Sequence, residues 1–106
     1  MEKNRKWILI YEVQQTESFA RWLRGLRDLR AYIALSRRME RAESGNLGDY
    51  KSLGGGIHEM RLDISGGYRI YFTQRGRRLN LLLVGGDKAS QSNDIIKARK
   101  LAKELK

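Results

Sequence analysis

The sequence contains no cysteine and no proline, and its one histidine is His58. Without thiols there is no disulfide framework and no thiolate metal site. A single imidazole leaves a histidine-built metal centre without ligands, so no metal and no cofactor is expected. No run of about 18 apolar residues occurs, which excludes a membrane-spanning helix. The first residues, MEKNRKWILIYEVQQ, hold a short apolar run but no small-residue cleavage site. They do not follow the pattern of a secretory leader, and the expectation is a cytoplasmic protein. Repeats, low-complexity segments and linker-like stretches are also missing, so residues 1–106 read as one domain.

Acidic residues are few. Twelve Asp and Glu stand against 22 Lys and Arg, a net charge of +10. Through residue 60 there are 11 basic and 8 acidic side chains, and after it 11 and 4. An excess of this size favours a polyanionic partner, and the C-terminal half is the candidate surface.

What is present is patterned. WILIYEV, residues 7–13, is rich in β-formers and reads as a strand. Thr16 is placed to cap a helix carrying Phe19, Trp22, Leu23 and Leu26 on one side, and Gly25 weakens its end. Asp28 is placed to cap a second helix with Leu29, Tyr32, Ile33, Leu35 and Met39 inward. ESGNLGD stops it, and a loop through Gly54–Gly56 follows. IHEMRLDI and YRIYFT then alternate around a Ser65-Gly66-Gly67 turn, as a hairpin does. LNLLLVG, residues 79–85, is apolar on both faces and reads as a central strand. A polar loop, GGDKASQSND, leads to a last helix capped by Ser92, Asn93 or Asp94, with Ile95, Ile96, Ala98, Leu101, Ala102 and Leu105 inward. The order β-α-α-β-β-β-α predicts an α+β fold: a small, mainly antiparallel sheet with two N-terminal helices and a C-terminal helix.

The hairpin raises a question of charge. If Ile70 and Phe72 pack inward, Arg69 and Tyr71 point the other way, and Arg61 leaves the Met60/Leu62 face to join them. Two arginines on one sheet face repel unless acids or a bound anion lie between them. Glu59 and Asp63 are available neutralisers, which gives a solvated face laced with ion pairs. The sharper alternative is a phosphate site, because a guanidinium is a rigid fork of donors matched to phosphate oxygens. Arg75, Arg77 and Arg78 in the next turn would extend a polyanion surface, for RNA if the partner is a nucleic acid. His58 falls in phase with Met60 and Leu62 and reads as a packing residue.

RWLRGLRD, SGNLGDYKSLGGGIHEMRLD, GGYRIYF and LLLVGGDKASQSNDI together resemble the RelE/ParE superfamily of toxins, and within it the HigB-like branch of addiction-module killer proteins. The resemblance runs from about Thr16 to the last helix. It implies the RelE-like fold and a metal-independent cleavage of mRNA in the ribosomal A site, in which a ribose 2′-OH attacks the adjacent phosphate. It assigns phosphate stabilisation to Arg69, phosphate binding or proton transfer to Arg61, and support of the phosphate or leaving group to Lys88. Lys51 would contact backbone phosphates. By its place beside Arg69, Tyr71 would stack on a base, polarise a proton or pack against a helix, and Gln91 would read a base edge or cap the last helix. The family's tyrosine near the start of the last helix has no counterpart; Gln91, Ser92, Asn93 and Asp94 occupy that zone. The implied partners are mRNA, the ribosome and a cognate antitoxin of the helix-turn-helix, HigA-like type. ParE-like inhibition of DNA gyrase, or a small basic RNA-binding module, are the alternatives.

Overall fold

A computed structural model describes residues 12–76 and 79–105. Eight elements follow one another: β1 (Glu12–Gln15), α1 (Glu17–Arg24), α2 (Leu29–Glu43), β2 (Tyr50–Gly54), β3 (Ile57–Leu62), β4 (Tyr68–Arg75), β5 (Leu79–Asp87) and α3 (Gln91–Glu104). The strands form one sheet in the order β1-β5-β4-β3-β2. β1 runs parallel to β5, and every other pairing is antiparallel. Residues 7–11 of the expected first strand lie outside the described residues.

The caps explain where the first two helices begin. Thr16 accepts from the Phe19 amide at 3.0 Å and donates to the Leu83 carbonyl at 2.7 Å, which ties the start of α1 to β5. Asp28 accepts from the Ala31 amide at 3.1 Å. The α1 and α2 layer covers one sheet face through Phe19, Leu23, Leu35, Met60, Ile70, Phe72 and Leu82. On the other face α3 lies on Ile57, Tyr71, Leu83 and Val84. Each fully buried Leu, Ile or Phe stabilises the fold by about 1.5–3 kcal/mol.

Four expectations are corrected. Residues 50–53 are not loop but a strand, β2, paired to β3; Gly54, Gly55 and Gly56, all at positive φ, make the hairpin turn. β2 was missed because it is an edge strand with little apolar content and no buried residue to reveal a period of two. β5 continues past Gly85 through Gly86 and Asp87, and α3 starts behind Ser90 rather than Ser92, Asn93 or Asp94. The buried side of α2 is Ala31, Leu35 and Ala42, because small residues let the helix approach the sheet; Leu29, Tyr32 and Ile33 are exposed. On α3, Ala98 is buried with Ile95, Leu101 and Ala102 packed around it, while Ile96 and Leu105 are exposed.

Candidate functional site

The register of β3 with β4 sets Arg61 opposite Arg69. Both side chains leave on the α3 face, as their alternation requires. Two residues before Arg61, on the same face, Glu59 has its carboxylate fully out of water. Its Oε2 lies 3.3 Å from Arg69 Nε, and its Oε1 lies 3.6 Å from Arg61 Nε and 3.8 Å from Lys51 Nζ. Gln91, the first residue of α3, donates to Glu59 Oε2 at 3.0 Å. One buried carboxylate therefore holds three cations together. It cannot neutralise them all, and the cluster keeps a positive excess.

That excess faces a cavity. Arg61, Arg69 and Lys88 line an open pocket of about 350 Å³ with Asp63 and the hairpin tip, Ser65–Gly67. Arg69 is buried, with its guanidinium end beside Gly67, while Arg61 and Lys88 are exposed. A smaller cavity of about 190 Å³ opens on the other side of Arg61, between Lys51, Tyr50 and Glu59. Glu59 Oε1 has no hydrogen-bond donor there. Among the described residues, no group of three or more His, Asp or Glu is placed to hold a metal ion.

The structure thus brings Lys51, Arg61 and Arg69 around one acid, sets Lys88 in the same cavity as the two arginines, and places the remaining candidates elsewhere. Tyr71 is fully buried under α3, so its ring has no free face for a base. Burial above all, and then the nearby charge of Glu59, raise its hydroxyl pKa far above the usual tyrosine value. Gln91 does not cap α3, whose N-cap is Ser90; its side-chain amide donates to Glu59. Arg75 sits at the far end of β4, where it donates to the carbonyls of Ala102 and Leu105 and so closes the C-terminal end of α3. Arg77 and Arg78 lie outside the described residues. His58 packs against Tyr50 and Phe72 on the α2 face, as its phase implied.

Two glycines were not singled out as parts of this site. A Cβ on Gly85 would overlap the Trp22 ring, and one on Gly86 would overlap the Asp94 carboxylate. Gly86 is the residue paired with Arg69. Without side chains here, α1 and the first turn of α3 both reach the strand beside the site. The signal in the sequence was the placement of two glycines at the end of an apolar strand, which a loop reading absorbed.

No model of a known protein family matches the chain. An uncharacterized protein of Haemophilus influenzae is 43% identical over 94 residues, which is 89% of this chain and 95% of that protein. Among solved structures, a mutant of the E. coli toxin RelE in the free state superposes with a TM-score of 0.71 at 19% identity, over 88% of this chain and 98% of that one. RelE-fold geometry also appears in the intact E. coli RelBE toxin–antitoxin complex, with a TM-score of 0.59 and 20% identity over 73% and 95% of the two chains. The fold is that of RelE.

Proposed function

The chain belongs to one family with the Haemophilus influenzae protein and carries the RelE fold, and from that premise we propose that it is the toxin of a type II toxin–antitoxin pair. Its activity would be that of a ribosome-dependent mRNA endonuclease of the cytoplasm, close to the HigB-like branch. The observation that carries this reading is the convergence of Arg61, Arg69 and Lys88 on one open cavity, above a single buried carboxylate.

The chemistry follows from those groups. The 2′-oxygen of a ribose forms a bond to the adjacent phosphorus as its proton leaves, and the P–O5′ bond breaks. The products are a cyclic 2′,3′-phosphate and a free 5′-hydroxyl. Arg69 and Arg61 face the phosphate oxygens, where charge builds up in the transition state. Lys88 stands at the rim to steady the leaving oxygen. The acceptor for the 2′ proton has to come from this cavity, whose lining carboxylate is Asp63; Glu59 opens onto the smaller cavity across Arg61. The implied partner is a cognate antitoxin with an acidic surface and a helix-turn-helix, HigA-like domain. Leu29, Tyr32 and Ile33 offer it an apolar anchor on α2, next to the hairpin tip that Asp28 contacts through Ser65.

Inducible expression in a bacterium, with primer-extension mapping of message ends, tests the reading. Native protein should cut messages during translation. Lys88→Ala, at an exposed position, should lower cleavage by about 10²–10³-fold, the loss of one charge-stabilising donor. Arg69→Ala should do the same or more. Uncut messages with native protein, or full cutting with Lys88→Ala, would overturn it; inhibited supercoiling with intact message would point to the gyrase reading instead.

A further inference from the structure

Beyond the pocket, the basic surface continues around the sheet edge. β2 pairs with β3 only as far as Tyr50 opposite Met60. From Arg61 onward, no strand among the described residues lies beside that edge of β3. Arg38 of α2 fills part of the gap: it donates to the Arg61 carbonyl at 2.9 Å, and to the Leu47 and Asp49 carbonyls at 3.1 and 3.3 Å. A groove of about 390 Å³ remains between α2 and this edge. Ala34, Arg37, Arg38 and Arg41 form one wall, and residues 61–64 form the other. Residues 61–64 also line the pocket of Arg69 and Lys88, so the two concavities meet over Arg61.

The helix spacing explains the wall. Positions 34, 37, 38 and 41 follow i, i+3, i+4, i+7 and share one face. Ala34 keeps the floor low. Arg37 and Arg41 are both exposed, four residues and therefore about 6 Å of rise apart. Like charges at this spacing repel. Asp49 and Asp63 also border the groove, but among the described residues no ion pair joins a carboxylate to Arg37 or Arg41. Arg38, between them, has its pKa lowered by burial first and then by the charge of Arg41, against the opposing pull of Asp49. A wall of cations in which neither Arg37 nor Arg41 is ion-paired among the described residues, leading into a phosphate pocket, fits an extended polyanion better than a single small anion.

We propose that this groove is a second phosphate track, in which Arg37 and Arg41 each hold a backbone phosphate of the single-stranded RNA whose neighbouring phosphodiester lies at Arg61, Arg69 and Lys88. The proposal rests on the nuclease reading for the identity of the strand, and places that strand across Arg61 from one concavity to the other. Arg38 takes no phosphate, since three backbone carbonyls already occupy it.

Salt dependence of binding separates the track from the chemistry. The probe is a 2′-O-methyl RNA oligonucleotide, which lacks the nucleophile and cannot be cut. Its association constant is measured against salt concentration by anisotropy. Each phosphate contact on a single strand contributes about 0.7 to the slope of log K on log salt. Arg37→Ala/Arg41→Ala should reduce the slope by about 1.4, and Arg37→Lys/Arg41→Lys should leave it close to native. An unchanged slope in the double alanine variant would overturn the track, as would native protein that fails to bind the oligonucleotide. Binding polyglutamate as tightly as RNA would also overturn it, in favour of an acidic-protein surface. If native protein leaves messages uncut on ribosomes yet shows the slope change, the nuclease reading fails and the track stands.

Discussion

A carboxylate taken out of water costs several kcal/mol unless cations and donors surround it. Glu59 has Lys51, Arg61, Arg69 and Gln91. The dependence is mutual at Arg69, whose side chain is only 9% exposed. Glu59→Ala should therefore leave a nearly buried guanidinium without counter-charge and cost about 3–5 kcal/mol, read as a fall in the denaturant midpoint. Phosphate or sulfate should restore part of that loss, because an anion that binds only the native state stabilises it. A variant as stable as native protein, and indifferent to phosphate, would show that the carboxylate does not organise the cluster. At this scale the sequence was informative where alternation ruled. The shared face of Arg61 and Arg69 and the inward phase of His58 both follow from a period of two. It was silent on burial depth. Nothing in YRIYF says that Tyr71 lies wholly beneath α3 while its neighbour Arg69 reaches a cavity. That depends on where a helix twenty residues further on is docked.

Among the elements, α2 and the β3–β4 hairpin meet at Asp28. Its carboxyl pKa is held below the usual 3.8, first by the hydrogen bond from Ser65 and then by the Ala31 amide at the helix start. A carboxyl with a lowered folded-state pKa adds stability that is complete above the unfolded value and disappears as pH falls through the folded one. Asp28→Ala should accordingly lower Tm at pH 7, and the gap to native protein should close as pH drops below about 3.8. A gap that is constant down to the lowest pH at which both proteins fold would remove the charge from this account. The helices and the hairpin were legible because capping residues and apolar spacing agree there. β2 was not legible, since four of its five residues face water and its strand character comes only from pairing with β3. The buried side of α2 was misread for a related reason: large apolar residues drew attention, yet Ala31 and Ala42 allow the close approach and push Leu29, Tyr32 and Ile33 outside.

For the molecule as a whole, the sheet separates two apolar layers, and Gly85–Gly86 is where both helical layers touch one stretch of strand. Trp22 lies on the first glycine from the α1 side, and Asp94 of α3 lies over the second. Asp94 also accepts from Ser90 at 2.5 Å, which holds the first turn of α3 in place. Gly86→Ala should cost about 1–3 kcal/mol through overpacking. Adding Asp94→Ala should relieve part of it, so the double variant should be less destabilised than the sum of the singles, as chemical denaturation of all four proteins would reveal. Strict additivity would mean that the strand, not α3, absorbs the strain.

The same contact has an optical consequence. Trp22 sits directly on the backbone of β5, and its indole centre is 6.2 Å from the ring of Tyr68, a residue that lines the arginine pocket. With Trp7 changed to phenylalanine, a single tryptophan would remain, wedged between the helical layer and the strand that leads into Lys88. Its emission colour and lifetime would then track seating of an anion, or departure of α1 from the sheet, with no attached dye.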